Sequence, residues 1–310
     1  MSDDELAALA ARVSNWGRWG DDDQRGTLNL VDTAAVERGV ASVRRREVFS
    51  LAIPFDENGP QLGNVPGRDN PVATRTIVNT AWASGDSSHA TWNDDHLALG
   101  AQAATHWDTL AHCGYDGLLY NDVPNTVVTE DEGATRLGVE HIGPVVSRGI
   151  VLDVARALGH DEHLPPVYEI TGVDLDAALA RTGLTVEPGD VALVRTGQMA
   201  VWRNESKYPY SQKSPGLGVD TIEWFHDHPV GAVATDTLTF EPMDYEDTDY
   251  SFPVQRILLR DMGLLLGQLW DLDALAASCA AAGAYAALLV ANPLPVTHGI
   301  GGPVAPVAIT

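Results

Sequence analysis

From residue 48 to its C-terminus, the chain alternates short apolar or β-prone runs with clusters of glycine, proline and asparagine. The clearest of these runs are residues 48–53, 74–78, 150–154, 191–195 and 230–235. Runs of this length, bounded by turn-forming residues, are typical of strands joined by loops. Helical segments lie between them without a regular strand–helix–strand period. We therefore predict a mixed α/β fold built on a central sheet.

Several helix starts are marked in the sequence. Ser2 and Glu5 form a capping box, and apolar residues follow at helical spacing over residues 6–13. A second helix is expected to begin at Asp32 or Thr33. A third is predicted over residues 174–182 with Asp174 as its cap, because a glycine follows its last apolar residue.

No Gly/Ser-rich linker, sustained charge run or fixed repeat divides the 310 residues. We predict one domain over residues 1–310, with residues 1–45 as an N-terminal helical extension packed on it. Residues 274–292 carry no charge, and this length raises the question of a membrane span. The segment is mostly alanine and is interrupted by Gly283, so we predict a helix, a turn and a strand instead.

Acidic residues far outnumber basic ones: 43 Asp and Glu against 19 Lys and Arg give a formal net charge of −24 at pH 7. A field of that sign repels phosphate backbones and anionic lipid headgroups, which argues against nucleic-acid and membrane partners. The first residues are acidic where a secretory signal requires a basic start, so we expect a cytoplasmic protein. The two cysteines are too few for a disulfide framework.

The densest concentration of reactive side chains lies in residues 102–112. If this run begins as a strand, its period of two places Gln102, His106 and Asp108 on one face. His112 lies four residues after Asp108, where it can face the same space. An imidazole beside a carboxylate can shuttle protons near neutral pH, and His-x-Asp can also place two ligands on one metal. From the pattern alone, a hydrogen-bonded histidine in a turn is an equal alternative.

Residues 105–112, Thr-His-Trp-Asp-Thr-Leu-Ala-His, resemble the His-x-Gly-Thr-His-x-Asp-x-x-x-His signature of the cyclase family. This family comprises metal-dependent hydrolases related to bacterial kynurenine formamidase and isatin hydrolase. Residues 19–30, 188–197, 256–272 and 293–295 resemble further segments of the family. The resemblance implies a sheet domain of the swivelling β/β/α type, a small-molecule substrate and a homo-oligomer. It also implies that His112 moves protons between water and the leaving group.

The same resemblance implies five metal ligands, of which this chain retains two. Matched position by position, His106 and Asp108 are present, whereas Gln102, Gln255 and Gln268 replace two histidines and a glutamate. A glutamine carbonyl can coordinate a hard cation, but it has neither the donor strength of imidazole nor the charge of carboxylate. We therefore expect no tightly bound zinc. A weakly held divalent ion such as Mn or Zn on these five side chains is left open.

Because His106, Asp108 and His112 are retained together, we predict a small-molecule enzyme that acts at a carbonyl centre by proton transfer. Without a metal it would catalyse ring closure or dehydration; with one it would hydrolyse a cyclic amide or ester. The glutamine amides would then bind the substrate. The alternative function is a non-catalytic binding or scaffold protein descended from the metal-dependent hydrolases.

Three aromatic residues flank the signature. We predict that Trp92, Tyr115 and Tyr120 form an apolar wall for a planar substrate. Core packing is an equal alternative for all three.

Overall fold

A computed structural model of the chain describes residues 1–63, 65–70, 73–78, 94–246 and 251–310, with residues 73–78, 94 and 95 described by their backbone alone. Its α-helices are α1 (Asp3–Val13), α2 (Thr33–Ala41), α3 (Val154–Ala157), α4 (Gly172–Thr182), α5 (Gln198–Asn204), α6 (Lys207–Gln212), α7 (Thr221–Asp227), α8 (Pro253–Arg260) and α9 (Asp273–Ala282). Short 3₁₀ helices span Gly26–Leu30, Tyr120–Asp122, Asn125–Val127 and Val139–His141. The strands are β1 (Val48–Ser50), β2 (Ala73–Val78), β3 (Asp94–Leu99), β4 (His106–Asp108), β5 (Val128–Thr129), β6 (Gly133–Ala134), β7 (Val146–Asp153), β8 (Glu169–Ile170), β9 (Val191–Arg195), β10 (Lys213–Ser214), β11 (Gly216–Leu217), β12 (Ala232–Thr235), β13 (Met243–Asp244), β14 (Leu265–Gln268), β15 (Ala286–Val290), β16 (Gly301–Pro303) and β17 (Val307–Ile309).

One mixed sheet organises the molecule. Nine strands of the described chain pair in the order β1-β17-β15-β7-β9-β12-β14-β4-β16. The four central strands, β7, β9, β12 and β14, are parallel neighbours, and the outer strands on both sides pair antiparallel. Strands β9 and β12 are buried along their whole length, as expected where both faces of a parallel sheet are covered. The predicted mixed α/β fold on a central sheet is confirmed.

Apolar side chains pack on both faces of this sheet. Along β7, Ile150 and Leu152 belong to the cluster that contains Leu175 of α4, whereas Val151 packs in a second cluster with Leu275 of α9. This alternation follows the period of two of a strand. The sheet is therefore the middle layer between helices on its two sides.

The helix starts follow the capping signals, with one shift. Helix α1 has the predicted capping box between Ser2 and Glu5, and Asp32 caps α2. Helix α4 begins two residues before the predicted Asp174, because Thr171 is its N-cap. Asp174 is instead the partner that bonds back to Thr171 in a capping box.

The uncharged segment 274–292 lies in α9, a turn and β15, as predicted. Gly283 ends α9 in the left-handed conformation, with φ of 63°. Among the described residues, none of the helices has the length and apolar character that crossing a membrane requires.

The predicted N-terminal extension, residues 1–45, is bonded to the rest of the chain at several points. The backbone N–H of Asn15 donates to the Asp261 carbonyl, and that of Thr27 donates to the Gly263 carbonyl, both at 2.9 Å. Helix α2 packs on β7, where Gly39 lies directly against the backbone of Ser147. These contacts attach the segment to the turn that follows helix α8 and to strand β7.

Trp107 anchors the face of β4 that is turned away from His106 and Asp108. Its ring is fully buried, lies 4.7 Å from the Trp270 ring and donates from Nε1 to the Ala291 carbonyl. Trp107→Ala should lower the free energy of unfolding by about 3–5 kcal/mol, because it leaves a large cavity. Urea denaturation measures this, with Val40→Ala, 57% exposed, as a control that should change stability by less than about 0.5 kcal/mol. A loss no larger than that of the control would contradict the assignment.

Candidate active site

A cavity of about 410 Å³ lies where the turn after β4, the end of β14 and the start of α8 meet. Most of its wall is apolar and consists of Leu62, Val65, Leu238, Met243 and Phe252, with Tyr245 and Cys113 beside them. His112, Gln255, Gln268 and Arg68 bring polar groups to the same space. An apolar cavity with a few converging polar groups is typical of a small-molecule site.

Strand β4 places two ionisable side chains beside this cavity. His106 and Asp108 are two residues apart and therefore share a face of the sheet, and both are fully buried. His106 Nδ1 lies 2.7 Å from the Ala104 carbonyl oxygen. Because a carbonyl can only accept, Nδ1 carries a hydrogen. The other ring nitrogen, Nε2, lies 3.3 Å from Asp108 Oδ1.

The turn after β4 returns His112 to the same carboxylate. Thr109 donates from Oγ1 to the Ile300 carbonyl at 2.7 Å, and the His112 N–H donates to the Thr109 carbonyl at 3.0 Å. This turn places His112 Nε2 3.5 Å from Asp108 Oδ1. The His112 side chain is 20% exposed and lines the cavity, so it is the imidazole that a ligand can reach.

Two glutamines from distant parts of the chain complete this group. Gln268 on β14 is the register partner of His106, so their side chains lie on the same face of the sheet. Gln255, in the first turn of α8, donates from Nε2 to Asp108 Oδ2 at 3.1 Å. Asp108 is thus surrounded by two imidazoles and one amide donor.

Glu241 is a buried acid that the sequence did not single out. Its carboxylate accepts the backbone N–H of Gln255 at 2.8 Å, and so caps helix α8, whose N-cap residue Phe252 supplies no side-chain cap. Burial raises the pKa of Glu241 to about 7, against the helix N–H groups that lower it. The one hint in the sequence is that Phe252, directly before Pro253, has no side chain that could cap a helix.

The charges of the site are set by burial and by the neighbouring rings. Burial alone would raise the pKa of Asp108, but His112 and His106 hold it well below its usual range. Burial lowers the pKa of His112 below 6.5, although the Asp108 charge opposes this shift. At neutral pH the site therefore holds an Asp108 carboxylate beside a neutral His112, which is the form that accepts a proton.

Three buried polar atoms around Asp108 have no hydrogen-bond partner in the described part of the chain: His106 Nε2, Asp108 Oδ1 and Gln268 Oε1. They form a poor ligand set for Mn or Zn, because only one imidazole and one carboxylate are among them. Gln255 adds no ligand, since its N–H₂ group faces Asp108. Among the described residues, no group of three or more His, Cys, Asp or Glu is arranged to hold a metal ion. The residues present do not fit a tightly held divalent metal. The orphaned atoms match the hydrogen bonds of a water molecule or of a polar substrate group.

Gln102 lies near the site, but not on the strand where the sequence predicted it. Strand β4 begins only at His106, and residues 101–105 form a turn, so Gln102 is not on the strand. Its side chain instead packs against Gly301 of β16, which is the register partner of Asp108. A side chain at position 301 would occupy the same space. Gln102 therefore lies near Asp108 but does not line the cavity.

The aromatic wall predicted from the sequence is corrected. Tyr115 donates to Asp261 Oδ2 at 2.6 Å and Tyr120 donates to Asp23 Oδ2 at 3.0 Å, and neither ring lines the cavity. Tyr120 is fully buried, as in the core-packing alternative. Trp92 lies outside the described residues.

Removing the Asp108 charge should change the pKa of His112 by a measurable amount. Because burial lowers the pKa of His112 and Asp108 opposes that shift, Asp108→Asn should lower this pKa further. NMR titration of the ring resonances measures it, with the exposed His226 as an internal reference and His112→Gln for assignment. A higher pKa of His112 in Asp108→Asn would contradict this electrostatic account.

Comparison with known proteins agrees with this architecture. The sequence matches a family described as putative cyclase over residues 49–242. A crystal structure described as that of a novel cyclase is 33% identical, with a TM-score of 0.87, and the alignment covers 97% of this chain and 99% of that one. No curated protein sequence matches closely enough to count as a relative.

More distant structures share the fold. Isatin hydrolase A from Ralstonia solanacearum is 20% identical, with a TM-score of 0.60 over 89% of this chain and 95% of that one. An isatin hydrolase bound to the product analogue thioisatinate is 19% identical, with a TM-score of 0.60 over 90% and 99% of the two chains. The family match supports an enzyme. Because that match spans more than half of the sequence and the 33% identical structure nearly all of it, the chain belongs to the cyclase family.

Proposed function

We propose that this protein is a small-molecule enzyme in which His112 transfers protons at a carbonyl centre of the substrate. One observation carries the proposal: a buried Asp108 carboxylate lies 3.5 Å from the His112 ring, which lines an apolar cavity. A neutral imidazole paired with a carboxylate is suited to accept a proton, because the carboxylate stabilises the imidazolium that forms.

The proposed reaction is a ring closure or dehydration that needs positioned acids and bases. His112 removes a proton from the nucleophilic group, whose electron pair then forms the bond to the carbonyl carbon. The imidazolium returns that proton to the carbonyl oxygen, which becomes a hydroxyl group and completes the ring closure. In the dehydration, His112 removes a second proton from an atom bonded to this carbon, whose electron pair forms a double bond as the hydroxyl takes the proton from the imidazolium and leaves as water. His112 therefore ends as it began. The Gln268 amide, at the cavity wall, is a candidate donor to the carbonyl oxygen as it gains negative charge.

Hydrolysis of a cyclic amide or ester is the second candidate function. It is favoured by the orphaned atoms His106 Nε2, Asp108 Oδ1 and Gln268 Oε1, which are of ligand types for a weakly held divalent ion. A non-catalytic binding protein is the third reading, and any His112-dependent turnover argues against it. A homo-oligomer with a small-molecule substrate is proposed on the family resemblance.

Removing the His112 ring tests the proposed chemistry. His112→Ala should reduce kcat by ~10²-fold or more with the fold intact, the usual scale for general acid–base catalysis. Turnover is measured with a panel of open-chain acids capable of ring closure and of cyclic amides and lactones, isatin among them. His226→Ala, which removes an exposed imidazole on α7, is the matched control and should retain full activity. A folded His112→Ala protein with nearly full activity would refute the assignment.

The two candidate reactions differ in their dependence on metal. For the metal-free reaction, the purified protein should contain substoichiometric metal and keep its activity in EDTA. The triple variant Gln102→His, Gln255→His, Gln268→Glu should bind Mn or Zn stoichiometrically, because it presents three imidazoles and two carboxylates, yet it should lose native activity. Elemental analysis and turnover measure both effects. Loss of the parent activity on chelation, with recovery on adding Mn or Zn, would decide for the hydrolase.

A further inference from the structure

Arg68 faces the cavity from a loop that is held in place by several hydrogen bonds. Gln61 donates from Nε2 to the Ala103 carbonyl at 3.0 Å, and Asn70 donates from Nδ2 to the Gln61 carbonyl at 2.6 Å. Ser211 donates from Oγ to the Pro60 carbonyl. Two of these bonds tie residues 60 and 61 to the body of the protein, and Asn70 closes the loop back onto Gln61. The position of Arg68 at the cavity is therefore supported by the fold.

The Arg68 side chain is half-buried at the wall of the cavity. Within the described part of the chain, it is the one cationic side chain that lines this cavity, and no carboxylate forms an ion pair with it. This is unusual in a chain with a net charge of −24, where acidic partners are abundant. A half-buried guanidinium has few routes to satisfy its five N–H donors, so a ligand oxygen is the natural acceptor.

Arg68 is not among the groups that contact the Asp108 carboxylate. His106, His112 and Gln255 already surround the Asp108 carboxylate at 3.1–3.5 Å. Arg68 acts on it only from beyond ion-pair distance, through its electric field. The guanidinium donors therefore remain available to a molecule in the cavity.

Most other polar groups of the wall already have partners inside the protein. Gln61 and Ser211 donate to backbone carbonyls, and Thr239 donates from Oγ1 to the Glu241 carbonyl. What a ligand meets is an apolar surface into which Arg68, His112 and Gln268 bring polar groups. The volume of about 410 Å³ is within the range of small-molecule pockets.

We propose that Arg68 makes this cavity selective for apolar substrates that carry a carboxylate, which it binds through the guanidinium while the reacting carbonyl faces His112. The planar fork of arginine matches the two oxygens of a carboxylate, and the bond is strengthened where apolar side chains exclude water. Surface charge repels such an anion at long range, but salt screens that repulsion beyond about 8 Å, whereas Arg68 acts at contact. This inference rests on the proposed function, because it assigns a substrate class to the same site.

The test uses two probes that differ only in charge, 2-naphthoate and 2-naphthamide, with binding to the full-length protein measured by calorimetry. Wild-type protein should bind the naphthoate at least about tenfold more tightly than the naphthamide. Arg68→Gln should abolish that preference by weakening the naphthoate alone, and Arg68→Lys should restore part of it, because it keeps the charge without the fork. Arg44→Gln, in a separate cavity near α2, is the control and should change neither affinity.

Several outcomes would overturn the inference. Equal affinity for the two probes, no binding of the naphthoate by wild-type protein, or an Arg68→Gln variant that weakens both probes equally each contradicts a carboxylate-binding role. The last outcome would mean that Arg68 acts through the loop or through Asp108. The proposed function is judged separately: loss of turnover in His112→Ala stands even if the carboxylate preference is absent, and a carboxylate preference stands even if His112→Ala is active.

Discussion

Asp108 is ionised and fully buried, and a carboxylate withdrawn from water destabilises a fold by several kcal/mol unless partners surround it. Here the partners come from three elements: His106 from the same strand, His112 from the following turn and Gln255 from α8. The last of these lies 147 residues away in the chain. The site therefore exists only once β4 is inserted between β14 and β16 and α8 is packed beside it.

Helix α8 is fixed at both ends, and this matters because it carries Gln255. At its start, the Glu241 carboxylate accepts the Gln255 N–H. At its end, Asp261 accepts hydrogen bonds from Tyr115 and from Arg260, each at 2.6 Å. Tyr115, which the sequence suggested as a substrate contact, thus stabilises the helix that holds the amide donor against Asp108.

Glutamine at position 255 changes what Asp108 needs from its surroundings. An imidazole at this position could bind a cation together with Asp108. The glutamine amide instead donates a hydrogen bond to the carboxylate itself. This amide donates to Asp108 Oδ2, whereas the rings of His106 and His112 lie beside Oδ1. The arrangement leaves His112 neutral at the cavity wall, where Arg68 has no carboxylate partner among the residues that the structure describes. Proton transfer and anion binding then fall to separate side chains of one cavity.

The sequence by itself determined what depends on neighbours in the chain. Capping boxes mark the helix starts, apolar runs mark the central strands, and His106, Asp108 and His112 lie within seven residues, so strand alternation and one turn are enough to group them. Resemblance supplied Gln255 and Gln268, but not their contacts. Tertiary structure alone decided that Gln102 arrives from a turn, that Glu241 caps α8, that Tyr115 and Tyr120 face carboxylates away from the cavity, and that Arg68 faces it. The physical reason is that these contacts depend on strand order and loop anchoring, which bring together residues that no local period relates.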